Sequence, residues 1–380
     1  MNELHLSPLA IQLLLGCAMP SDQPTAFSAL HQSILTRARK AIARLFDEDG
    51  ELFGDLLDED TLNYLDKAIA QLANRVGRLL PGLHVLEATA DPVGRGLALL
   101  SWLSTLGIVG EWQINILECQ LIYIGVQPVS VHGLTRVHVD SDRITVRSQL
   151  GEFSFVRVSN CIWRRAHGVL GQDVARHAVV FHAHNPIATR GFAEHLPLAL
   201  AGQVASDVAL AMGRIQETSA SLSAWIDEAI AGVICLQAPP NSCSSGSSVS
   251  YPGLVFVTHP MDVEKLAVLL VHEASHIYLN ALSQHVQLVQ PGNTETIYSP
   301  FRRLQRPVEK VLLAFHAAAN MVRYTSGRLQ SGDTNPAIEY EYRTNLEYAR
   351  NMHEDLSKTS ALTEAGTVFL SRVASCLSSL

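Results

Sequence analysis

Two histidines four residues apart, His272 and His276, enclose Glu273 in a His-Glu-x-x-His pattern. A helix turns every 3.6 residues, so the two imidazoles stand one above the other on a single face, where both can reach one metal ion. Around them Leu266, Leu269, Leu270, Val271, Ile277 and Leu279 make the helix apolar, leaving a narrow polar stripe of His272, Glu273, His276 and Asn280. A polar stripe on a buried helix needs partners. The bland alternative is a chance spacing in a chain of 16 histidines; the apolar helical context weighs against it.

Two chemistries suit this helix. With zinc, the histidines and a third ligand would hold the ion while Glu273 takes a proton from the attacking water, as in a peptidase. With non-haem iron, two histidines and one further ligand leave adjacent positions for a co-substrate and oxygen. Chemistry with a 2-oxo acid also needs a cation for the distal carboxylate, preferably the bidentate fork of an arginine. Arg302 and Arg306 stand just before a helix expected from Pro307 to about Tyr324, on which Glu309, Leu313 and His316 share a face. The longer metalloprotease pattern is absent: Leu282 occupies the place of its third histidine and Leu279 that of its glycine. Glu309 could still serve the zinc form that takes an acidic third ligand. A rival metal pair is His182 and His184, whose H-x-H spacing on a strand points both rings one way; Asn185-Pro186 ends that strand at once.

The elements that must position these residues follow from pattern. The 380 residues, 47% hydrophobic with a mean hydropathy of +0.14, bury a sizeable core. A net charge of −8 with a pI near 6.0 argues against a nucleic-acid partner. Six scattered cysteines without a C-x-x-C pair read as reduced thiols of a cytoplasmic protein. The apolar run from Leu9 to Met19, broken by Gln12 and Gly16, is expected to be neither signal peptide nor membrane span.

The expected fold class is α+β: mostly helical, with a central antiparallel strand region and a helical metal-binding half. Residues 1–112 read as a helical N-terminal region, with runs at Ser7–Leu80 and a core helix at Leu97–Val109. Residues 113–190 read as strands, with a hairpin at Asp140-Ser141-Asp142. Residues 191–380 read as the metal-binding region. Within it, the small polar run from Ala238 to Ser248 is expected to be a loop over the site. Leu254 to Thr258 should form an apolar strand, and His259-Pro260 should open the metal helix.

The motif Leu270-Val271-His272-Glu273-Ala274-Ser275-His276, then Tyr298-Ser299-Pro300-Phe301-Arg302 and Arg306-Pro307, resembles the HExxH-domain proteins of gene clusters for ribosomally made, modified peptides. Members carry Tyr-x-Pro-Trp-Arg, a short spacer and Arg-Pro opening a helix; Phe301 stands here in place of Trp. The small-residue loop before Pro252-Gly253 and a late Leu362-Thr363-Glu364-Ala365-Gly366 also match, so the likeness covers roughly residues 230 to 370. It implies an Fe(II)- and 2-oxoglutarate-dependent β-hydroxylase of a precursor peptide, with no nucleic acid or membrane as partner. His272 and His276 would be iron ligands, and Arg302 or Arg306 would hold the 2-oxoglutarate carboxylate, Arg306 being preferred. His316 is the expected third ligand, with Glu309 second, although members often have Gly in the place of Glu309. Glu273 would orient the ligands or touch the metal. The alternatives carried forward are a zinc metallopeptidase with Glu273 as base and a catalytically inactive peptide-binding protein.

Overall fold

In the computed structural model, the described residues are 92–124, 127–159, 162–165, 171–174, 178–181, 201–230, 232–237, 244–248 and 251–378, with residues 36, 37, 40 and 44. The expected helices of Ser7–Leu80 and the His182/His184 pair therefore lie outside the described residues, apart from those four. The fold is α+β. Helix α1 (Pro92–Leu106) packs on a five-stranded antiparallel sheet in the order β1-β2-β3-β4-β5. Those strands are Gly110–Ile124, Gln127–Val139, Arg143–Ser148, Gly151–Ser159 and Ile162–Arg165. Alternation sets its inner face: Val137, Val139, Ile144, Val146 and Phe155 are buried, with polar neighbours between them. The hairpin at 140–142 forms as expected, pairing Val139 with Ile144.

The second sheet has the order β6-β7-β8-β10-β9, with strands Gly171–Val174, Ala178–Phe181, Gly232–Gln237, Tyr251–His259 and Ser245–Ser248 respectively. It joins strands from both sides of position 190, so that expected boundary does not separate a strand region from a helical one. It is also mixed: β7 and β10 both run parallel to β8. Parallel neighbours need a crossover, and between β7 and β8 lie α2 (Ala201–Thr218) and α3 (Ala220–Ala229). Ser219 separates those two helices; its side chain accepts from Leu222 N and caps α3.

The region expected to bind a metal is built on α4 (Val263–Ser283) and α5 (Val308–Gln330), which pack together, with α6 (Pro336–Leu356) and α7 (Glu364–Ser378) against α5. His259-Pro260 ends β10 rather than opening α4; the cap is Asp262, whose carboxylate accepts from Glu264 N and Lys265 N. Between α4 and α5 a two-stranded hairpin, β11 (Thr296–Ser299) and β12 (Leu304–Pro307), presents the arginine-rich turn. Sequence periodicity did not suggest this hairpin, since neither strand is longer than four residues.

The Leu-Thr-x-x-Gly segment has a structural job. Thr363 Oγ1 accepts from Gly366 N at 3.0 Å at the start of α7 and donates to Gln287 O at 2.6 Å. Thr363 N donates to Leu288 O at 3.0 Å. A Cβ at Gly366 would lie 2.0 Å from that same Leu288 oxygen, so only glycine permits the approach.

Candidate metal centre

Fourteen side chains of α4 are buried, so the His-Glu-x-x-His face is held on a fixed helix. The His272 and His276 rings meet edge to face with centroids 4.3 Å apart, as the i, i+4 spacing requires. Burial lowers the His272 pKa to about 4, with Lys265 and Arg302 adding to the effect. Burial likewise drives His276 well below the usual imidazole range, helped by His272, His316, Arg306 and Lys310. Both rings are thus neutral at physiological pH, the state in which imidazole donates a lone pair to a metal. His276 Nδ1 is buried and has no hydrogen-bond partner among the described residues, an orphan that a ligand would satisfy.

Glu273 is 1% exposed. Burial pushes its carboxyl up to about 7, against hydroxyl donors Ser245 and Ser247 and the Arg302 charge, which favour the ionised form. Ser245 Oγ donates to Glu273 Oε1 at 2.6 Å, while Oε2 is buried without a partner among the described residues. His272 Nε2 lies 3.9 Å from Oε1; with the imidazole neutral this is a polar contact and not an ion pair. The serines belong to β9, the edge strand beside β10, where Val257 pairs with Ser245 and Val255 with Ser247. Of the run expected as a loop over the site, residues 238–243 lie outside the described residues and Ser245–Ser248 form a strand. Gly246 allows this, since a Cβ there would stand 2.2 Å from the Phe256 ring.

His316, the expected third ligand, is fully buried between Trp225 and Phe369, with ring centroids at 6.2 and 5.3 Å. Its Nδ1 donates to Ser275 O at 3.1 Å, tying α5 to the metal helix. Glu309 is exposed and lines a surface cavity with Asn280 and Lys310. Glu309 and His316 share a helix face but sit two turns apart, about 10 Å along the axis, too far for one ion. Among the described residues no three His, Cys, Asp or Glu side chains form a group that could hold a metal. The structure therefore brings His272, His276 and Glu273 together and does not close a triad with either candidate third ligand.

Arg302 lies in the hairpin turn, and Arg306 on β12 pairs with Ile297 of β11. Arg302 acts on His272 and Glu273, and Arg306 on His276. Phe301 anchors the turn, with its ring 6.0 Å from His272 and 4.9 Å from Tyr348 of α6. Sequence reasoning missed Ser245, Ser247 and Lys310. A serine run before an apolar strand carries no signal for a carboxylate partner, and Lys310 comes near His276 only through the packing of α5 on α4. No protein-family profile matches this chain, and none of the curated proteins matches it either.

Proposed function

We propose that the protein is an Fe(II)- and 2-oxoglutarate-dependent hydroxylase acting on a peptide, in line with the resemblance of its motifs. The observation that carries this reading is the pair of arginines on the hairpin. Arg302 and Arg306 make no ion pair among the described residues, whereas Lys265, which also acts on His272, is matched with Glu341. Unmatched guanidinium groups beside two neutral imidazoles suit a dianionic co-substrate bound next to a metal.

His272 and His276 would hold the iron; the donor set fits a metal to the extent of these two residues. Bound iron with 2-oxoglutarate and oxygen supplies the oxidising equivalents for replacing a C–H bond by C–OH, the co-substrate leaving as succinate and carbon dioxide. Glu273, held by the Ser245 hydroxyl, orients α4 against β9. Arg306, half-buried and held by the hairpin register, grips the distal carboxylate, with Arg302 as the second contact.

One observation favours the zinc peptidase as the second reading: a carboxyl with a pKa of about 7 is matched to general-base work at neutral pH. Anaerobic Fe(II) binding followed by 2-oxoglutarate titration separates the two. The hydroxylase reading expects saturable binding, weakened about a hundredfold or more by Arg306→Met or Arg302→Met with metal retained, since a charge-assisted bond contributes roughly 1.5 to 3 kcal/mol. A protein that binds zinc, ignores 2-oxoglutarate and loses peptide cleavage on Glu273→Gln would be a peptidase.

A further inference from the structure

Arg302, Arg303, Arg306 and Lys310 fall close together in a chain whose net charge is −8. Arg302, Arg303 and Lys310 are exposed, and none of the four makes an ion pair among the described residues, unlike Arg343 with Glu339 or Lys358 with Glu354 on α6 and just beyond it. The same hairpin exposes Tyr298 and Leu304, at 47% and 52%. Beside it opens a cavity of about 270 Å³ walled by Leu279, Leu288 and Leu313 and edged by Asn280, Glu309 and Lys310. Asn280 stands one helical turn beyond His276 on the same stripe, so the cavity continues the metal face. Its leucine walls suit the cavity to an apolar side chain, while the unpaired positive charge lies on the hairpin and at Lys310 on the cavity's edge.

We propose that hairpin β11–β12 with Lys310 is a docking surface for an acidic polypeptide segment, which runs over Arg303 and Lys310 and seats one apolar side chain in the cavity beside Asn280. Charge complementarity selects the partner. A duplex or single strand of nucleic acid would need a longer basic track than one hairpin on an otherwise acidic protein, whereas a short acidic segment matches both the span and the apolar cavity. That this segment belongs to the enzyme's substrate rests on the hydroxylase reading; the docking itself does not.

The test is fluorescence anisotropy on the metal-free 380-residue chain without 2-oxoglutarate, so that its failure leaves the hydroxylase reading standing. The probes are a labelled Glu/Leu peptide, the matching Glu/Ala and Lys/Leu peptides, and an oligodeoxynucleotide. Arg303 has φ 54, which asparagine tolerates, so Arg303→Asn with Lys310→Gln removes two charges without backbone conflict. Saturable binding of Glu/Leu is expected, weakened about fivefold or more by the double variant and by added salt. Leu313→Trp, which fills the cavity, should reduce Glu/Leu binding while leaving Glu/Ala unchanged. Equal binding of the Lys/Leu peptide, an unaffected double variant, tighter binding of the oligonucleotide, or no binding of Glu/Leu would each overturn the proposal.

Discussion

Ser245 on the edge strand β9 donates its hydroxyl to Glu273 Oε1 at 2.6 Å, joining the second sheet to α4 at the centre of the His-Glu-x-x-His motif. The bond matters because Glu273 is almost fully buried and its other oxygen has no partner among the described residues. Ser245→Ala should therefore raise the Glu273 pKa further and cost about 1 to 3 kcal/mol above neutral pH. Denaturant titration at two pH values, with the carboxyl followed by infrared absorption, checks both effects.

Glu273 also makes stability depend on pH. Its folded pKa of about 7 exceeds the ordinary value of 4.5, so over that window the native state holds a proton that the unfolded chain has released. Stability contributed at this site falls as pH rises from about 4.5 to 7 and is lowest above 7. Glu273→Gln should make the metal-free protein more stable at about pH 8, by on the order of 3 kcal/mol, and change little at about pH 4.5. An identical gain at both values would show that the carboxyl does not titrate as a buried acid.

His272→Ala and His276→Ala should each abolish metal binding while the far-ultraviolet circular dichroism is retained. Helix α4 keeps its apolar contacts in both variants, through Leu266, Leu270, Val271 and Tyr278. Metal analysis after dialysis is the measurement, and full occupancy in both variants would move the site to His182 and His184.

His316→Ala is expected to act chiefly on stability. The substitution opens a cavity between Trp225 and Phe369 and removes the side-chain donor that joins α5 to the Ser275 carbonyl, at a combined cost of roughly 2 to 5 kcal/mol. If the ring is instead a ligand, metal affinity will collapse while the fold is intact, and thermal melts paired with metal titration tell these apart.

Gly366→Ala should lower the melting temperature and release the segment at Gln287 and Leu288, because the added methyl has no room beside the Leu288 carbonyl. Faster amide exchange at Thr363, whose N–H donates to that carbonyl, would report the loosening, and wild-type protection there would refute it.

By itself the sequence determined whatever repeats locally: the stacked histidine pair, the apolar faces of α4 and α5, the alternation around the hairpin at 140–142 and the neighbouring arginines. These follow from periods of 3.6 and 2, which act between residues near in the chain. Only the tertiary structure decided that Ser245 meets Glu273 across 28 positions, that β8 and β10 carry the second sheet past position 190, and that Gly366 closes on Leu288. It also left Glu309 exposed and His316 fully buried, because helical periodicity reports which residues share a face but not what packs against each turn of that face. Burial completed the site's electrostatics: the low His272 pKa and the high Glu273 pKa arise from desolvation by neighbours that are distant in sequence.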